Sequence, residues 1–201
     1  MKKILLTNTY SFTPMVGAIT RIDPTIVYLI IDKMPDDNQK EARDKLKNTF
    51  KHITFKEIKT SVYETYEIAK EVIKAIDDIY KDDENEIYVD ITSGRKPKSI
   101  GIMLGCYARS NKIRDVLYFT PEINQMIILP KLSFDINKRS FDLLSIISKK
   151  KITLPELANK ESKTLGRTAV YNNIRDLKEK GMVEEKDGNL YLTDYGKLIL
   201  L

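Results

Sequence analysis

The run Glu86–Gly105, EIYVDITSGRKPKSIGIMLG, constrains the fold more than any other stretch of this chain. Ile87–Ile91 is short, apolar and partly β-branched, which predicts a buried strand. Thr92, Ser93 and Gly94 break it, and Pro97 then stands where a missing N–H suits the first turn of a helix. Ile100, Met103, Leu104 and Tyr107 recur at helical spacing and predict the apolar face of that helix. The unit is therefore strand, polar turn, helix. A helix start carries unpaired N–H groups and the positive end of the macrodipole, and here Thr92, Ser93, Arg95, Lys96 and Lys98 add hydroxyls and cations. That chemistry suits an anion, above all phosphate. The plain alternative is a turn at Gly94 followed by a solvated basic face.

The same alternation recurs through the first 130 residues. Lys3–Leu6 predicts a strand that opens into the polar run Thr7, Asn8, Thr9, Tyr10, Ser11, Phe12 and Thr13, followed by a helix over Pro14–Ile22. Thr25–Ile31 and Ile53–Ile58 predict two more strands, and Asp36–Phe50 and Tyr63–Tyr80 the helices after them; the first of these carries an apolar stripe at Ala42, Leu46 and Phe50. An acidic loop over Lys81–Asn85 leads to the featured strand, and Val116–Phe119 and Met126–Leu129 predict a hairpin about the turn Thr120–Gln125. Strands alternating with helices imply an α/β fold with a mostly parallel sheet, because parallel strands need crossover helices. Ligands of such sheets bind outside the carboxyl ends of the strands, where both polar loops fall. They line one crevice if their strands are neighbours. Neither loop carries a dinucleotide or P-loop fingerprint.

Pro130–Lys138 loses periodicity and is expected to link this region, residues 1–130, to a smaller domain over 139–201, with 131–138 as the linker. Helices are predicted over Ser140–Lys149, Leu154–Lys160 and Thr164–Lys180, the last stopped by Gly181. Val183–Lys186 and Asn189–Thr193 flank Asp187-Gly188 as a hairpin, and Tyr195–Leu201 closes the chain as a helix. This is the winged helix-turn-helix order. On the third helix Val170, Ile174 and Leu177 fall on one side, while Thr168, Tyr171, Asn172 and Arg175 fall opposite, with Lys163, Arg167 and Lys178 flanking as phosphate candidates. Double-stranded DNA is the expected partner; an ordinary charged face or a protein contact is the alternative. Glu184, Glu185 and Asp187 leave Lys186 as the hairpin's only cation, which argues against a strong wing contact.

Composition removes whole classes of chemistry. One histidine, His52, and one cysteine, Cys106, cannot build a zinc site or a histidine triad within one chain, and Cys106 is expected to be a buried thiol. No apolar run reaches membrane-spanning length, so no membrane partner and a cytoplasmic location are expected. The formal net charge is +5, of which residues 139–201 carry +3.

The two polar loops, the C-terminal order and above all Asp90-Ile91-Thr92-Ser93-Gly94-Arg95-Lys96 together resemble the CARF (CRISPR-associated Rossmann fold) regulators, in which a Rossmann-like CARF sensor precedes a winged helix-turn-helix. That family usually has Asp, an aliphatic residue, Thr, two glycines and a basic residue; here Ser93 replaces the first glycine. The resemblance implies a cyclic oligoadenylate, commonly the tetra-adenylate, bound across the twofold axis of a homodimer without further cofactor. It carries over Thr7, Asn8, Thr9, Tyr10, Ser11 and Phe12 from the first loop, and Thr92, Ser93, Gly94, Arg95 and Lys96 from the second, as ligand residues. Tyr10 or Phe12 could stack on adenine. The implied role is CRISPR-associated transcription regulation in antiviral defence. The rival is a metal-independent ring nuclease that cleaves the bound ring with Ser93, Arg95 and Lys96. A nuclease built on Asp32, Glu57 and Lys59 has the residue types without supporting context.

Overall fold

Six strands and four helices alternate through the first part of the chain in the computed structural model, which describes residues 1–80, 84–120, 125–131 and 136–200. Parts of the acidic loop, of the Thr120–Gln125 turn and of the linker, together with Leu201 and the side chain of Lys163, lie outside the described residues. The chain divides into two compact units, Met1–Ser133 and Phe134–Leu201.

In the first unit the strands are β1 (Lys2–Asn8), β2 (Ile26–Asp32), β3 (Thr54–Thr60), β4 (Asn85–Asp90), β5 (Asp115–Thr120) and β6 (Gln125–Leu129). The helices are α1 (Phe12–Ile22), α2 (Asp37–Thr49), α3 (Thr65–Tyr80) and α4 (Lys96–Ala108). The sheet order is β3-β2-β1-β4-β5-β6, with all pairings parallel except the β5–β6 hairpin. The mostly parallel α/β sheet is the one expected from the alternation; its strand order is Rossmann-like, with the switch point between β1 and β4. Strand periodicity divides the core. Leu5, Val27 and Leu29 pack with Met15 and Ile19 of α1 and Ala42 and Leu46 of α2. Ile4, Leu6 and Ile30 pack on the opposite face with Ile68, Val72 and Ile76 of α3 and Ile102 of α4.

Helix α4 corrects the face read from the sequence. Its buried residues are Lys98, Gly101, Ile102, Gly105 and Cys106, whereas Ile100 is 47% exposed. The two glycines decide this orientation. A Cβ at Gly101 would stand 2.8 Å from Ile68 Cβ, and one at Gly105 would stand 3.0 Å from the Ala69 carbonyl, so α4 packs on α3 at a separation that only glycine permits. Cys106 is buried as expected, and burial pushes its thiol pKa up, away from thiolate chemistry.

The second unit contains α5 (Lys138–Lys149), β7 (Ile152–Thr153), α6 (Leu154–Leu165), α7 (Arg167–Glu179), β8 (Val183–Lys186), β9 (Asn189–Leu192) and α8 (Asp194–Ile199). Its sheet has the order β7-β9-β8, antiparallel throughout. Strand β7 was not foreseen. Helix α6 is longer than its sequence suggested, and α7 begins at Arg167 instead of Thr164. The break falls at Gly166, whose φ of 74° ends one helix and starts the next. A capping box of Thr153 and Glu156 opens α6, and Asp187-Gly188, both at positive φ, turn the β8–β9 hairpin.

Candidate functional site

Because β1 and β4 are hydrogen-bonded neighbours, with Thr7 opposite Asp90, the two polar segments meet at one edge of the sheet. Their residues serve two different purposes. Thr7, Asn8 and Thr9 are fully buried, since β1 runs on to Asn8. Thr7 Oγ1 donates to Asp90 Oδ2 at 2.8 Å, Asn8 Nδ2 donates to Ser99 Oγ at 3.2 Å and to the Ser93 carbonyl, and Thr9 N donates to the Ile30 carbonyl at 2.9 Å. Phe12 opens α1 and is half-buried, packing against the core while also lining a surface cavity with Tyr10 and Ser11. Of the first polar run, Ser11 and Thr13 are exposed and Tyr10 and Phe12 half-buried.

Asp90 is buried without a cation. Its carboxylate accepts from Thr7, from Thr92 N at 3.0 Å and from the Thr92 hydroxyl, while Thr92 Oγ1 accepts from Phe119 N at 2.8 Å. Asp90 and Thr92 together thus tie β1, β4 and β5 at the floor of the crevice. Burial raises the Asp90 pKa, and the hydrogen bonds from Thr92 and Thr7 oppose that only in part. A carboxyl with a raised folded pKa stabilises the fold below its unfolded value, near 4, and that contribution is lost as pH rises through the folded value. The stability of wild type relative to Asp90→Asn is therefore expected to fall as pH is raised from about 4 toward neutrality. Asp90→Ala, which strands three donors, is expected to lose about 2–4 kcal/mol at neutral pH in urea denaturation.

Ser93, where the motif it resembles has glycine, is 3% exposed. Its hydroxyl accepts from Ser11 N at 3.1 Å and shares a 2.9 Å hydrogen bond with Ser11 Oγ. The serine clips one loop to the other instead of facing a ligand. Gly94 has φ 91°, and a Cβ there would fall 2.6 Å from Asn8 Nδ2, so both conformation and contact demand glycine.

The cations at the start of α4 differ sharply. Lys98 is 2% exposed and ion-paired with Asp32, itself buried at the end of β2. Burial draws the Lys98 pKa down, and Asp32 offsets part of that. Arg95 Nη1 lies 3.2 Å from Asp32 Oδ2 and Nη2 lies 3.5 Å from Asp36 Oδ2, with the guanidinium 5.5 Å and 5.9 Å from the Tyr10 and Tyr63 rings. Sequence reasoning took Arg95 as a free anion ligand, yet in this state two carboxylates hold it. Lys96 is exposed and has no ion-pair partner among the described residues. Helix α4 also lacks a side-chain cap, which leaves its N-terminal dipole directed at the crevice. Of Ser93, Arg95 and Lys96, only Lys96 is free to approach a ligand.

Two further residues escaped sequence reasoning. Gln39 is buried and its Nε2 donates to the Thr9 carbonyl at 3.0 Å; a signal existed, because it precedes Ala42 by three on the buried stripe of α2. Asp32 was considered only as a metal ligand beside Glu57, but it faces Lys98 and Arg95, while Glu57 accepts from Lys47 at 3.0 Å. No group of three or more histidine, cysteine or carboxylate residues is placed to hold a metal among the described residues.

In the second unit α7 buries Val170, Ile174 and Leu177 and exposes Arg167, Thr168, Tyr171, Asn172 and Arg175. Lys178 differs, being tied to Glu185 of β8, and Lys186 pairs with Glu184 at 2.7 Å. Lys163 belongs to α6.

Comparison with known proteins now fixes the family of the first unit. The family described as HFX_2341_N:-like, N-terminal matches residues 9–124, more than half of the chain. The chain belongs to this family. The HFX_2341_N-like region contains β4, α4 and all of the second polar loop, and begins just after β1. No curated protein matches the sequence. Among solved structures, Enterococcus italicus Csm6 bound to cyclic hexa-2'-fluoro-hexa-dAMP aligns with a TM-score of 0.56 at 14% identity, covering 90% of this chain and 56% of that one. Protein VC1899 from Vibrio cholerae aligns with a TM-score of 0.52 at 12% identity, covering 98% of this chain and 65% of that one. At such identities the likeness is one of fold, of the CARF/Rossmann-like kind, and the chain spans less than two thirds of either structure. No helix among the described residues is long and apolar enough to cross a membrane.

Proposed function

We propose that this chain is a homodimeric sensor of a cyclic oligoadenylate, most simply the tetra-adenylate, that regulates transcription at CRISPR-associated promoters through a winged helix-turn-helix. The observation that carries the sensing half is the meeting of the β1 and β4 carboxyl ends beneath the uncapped N-terminus of α4, with Lys96 exposed beside it. That edge offers a helix dipole, a free cation and the Ser11 hydroxyl to a phosphate. The fold likeness to Csm6, solved with a cyclic hexanucleotide, supports the ligand class. A symmetric ring suits a twofold axis, and the apolar groups at the same edge suit a second copy: Met34 and Tyr63, in the loops after β2 and β3, and Ile100 on α4 are 88%, 63% and 47% exposed.

The regulatory half rests on α7. Its outer face, Arg167, Thr168, Tyr171, Asn172 and Arg175, has the side-chain types that meet phosphates and base edges, and a dimer would bring two copies to two half-sites. The acidic hairpin, with Lys186 already paired, leaves the helix as the main contact. Ligand changes DNA affinity only if it binds one arrangement of the dimer more tightly than another. Gel-shift titration of promoter DNA is expected to show a retarded complex whose midpoint moves when cyclic tetra-adenylate is added. No retarded complex in either condition contradicts the regulatory reading.

A further inference from the structure

Two buried carboxamide oxygens beside the crevice, Asn8 Oδ1 and Gln39 Oε1, accept no hydrogen bond. Neighbouring groups fix the direction of both amides. Gln39 Nε2 donates to the Thr9 carbonyl, which can only accept, so Oε1 must face away from it. Ser99 Oγ gives its proton to the Ile91 carbonyl at 3.0 Å and therefore accepts from Asn8 Nδ2, as does the Ser93 carbonyl. Reversing either amide would set oxygen against oxygen.

Gln39 lines a recess with Tyr10, Asp32, Gly94, Arg95 and Lys98 that is too narrow to hold a water. Gln39 Oε1 is left without a donor, like Asn8 Oδ1, in a site where the other buried polar groups among the described residues are paired. What an acceptor lacks is a donor, and the oxygens of a phosphodiester carry no proton. The base amine or the ribose hydroxyl of a nucleotide can supply one.

We propose that Gln39 is a specificity-determining residue of this site, its Oε1 accepting a hydrogen bond from an N–H or O–H group of the ligand. The site then reads the nucleoside as well as the phosphates. This inference rests on the ligand class proposed above. Arg95 lines the same recess, and an arriving phosphate favours its moving outward to open it. The guanidinium's contact with Asp36 is long, at 3.5 Å, and Lys98 still neutralises Asp32 after Arg95 leaves.

Calorimetric titration with three rings tests the proposal: cyclic tetra-adenylate, its purine-riboside counterpart, which lacks the amine and adds no other donor, and the 2'-fluoro tetra-adenylate, which removes the hydroxyl. Wild type is expected to bind one of the altered rings at least about tenfold more weakly than tetra-adenylate, and that ring identifies the donor. Gln39→Met, which removes both polar atoms at similar length, is expected to abolish the preference by weakening the two rings that keep the donor and leaving the third unchanged. Gln39→Glu, which keeps an acceptor but loses the bond to Thr9, is expected to retain it and serves equally if the methionine variant fails to fold. Equal binding of all three rings by wild type, or equal weakening of all three by Gln39→Met, overturns the proposal. Binding of none overturns the ligand class, and this inference with it.

Discussion

Replacing Lys98 by methionine is expected to lower folding stability by about 3–5 kcal/mol, measured by urea denaturation at neutral pH. Methionine fills most of the aliphatic stem, so the loss isolates the charge. Asp32 is 2% exposed, and without Lys98 it keeps only the Arg95 guanidinium at 3.2 Å, a group that is itself shared with Asp36. Removing one partner of a buried pair leaves an uncompensated charge, whereas removing both can be nearly neutral. The double variant Lys98→Met with Asp32→Leu is therefore expected to recover most of the loss. A cost below about 1 kcal/mol for the single variant would contradict the burial of that pair.

The second large effect concerns ligand. Replacing Arg95 and Lys96 together by alanine is expected to weaken cyclic tetra-adenylate binding by at least about 100-fold, since each charge-assisted phosphate contact contributes about 1.5–3 kcal/mol. The two residues act differently. Lys96 is exposed and unpaired, so Lys96→Ala removes a ready cation and leaves the fold unchanged. Arg95→Ala also uncovers Asp36, which then repels the phosphates that Arg95 would have met. Thermal denaturation of the double variant is expected to stay close to wild type because Lys98 keeps Asp32 paired.

The α/β class and the mostly parallel sheet were legible because strand and helix periods alternate over long, clean segments. The crevice was legible only conditionally, since sequence placed both polar loops at carboxyl ends but not β1 beside β4. What stayed hidden was mainly long-range. Lys98 and Asp32 are 66 residues apart, and no local pattern announces their pairing. The phase of α4 was misread because the apolar spacing of Ile100, Met103, Leu104 and Tyr107 looked like a core face, while the buried face is set by close approach at Gly101 and Gly105. Phe12 was taken for a loop residue because Pro14 looked like the start of α1, and the earlier start sets one side of its ring against the core. Ser93 was the residue at odds with the CARF motif that this loop resembles. Its bond to Ser11 gives a physical reason for the departure, since a glycine could not clip the loops.

The central claim is that the edge formed by β1, β4 and α4 binds a cyclic oligoadenylate. Calorimetric titration of cyclic tetra-adenylate into wild type and the Arg95→Ala, Lys96→Ala variant tests it most directly. The account predicts saturable binding of one ring per two chains, lost in the folded variant. Absence of binding to wild type, or equal binding by both proteins, would contradict it.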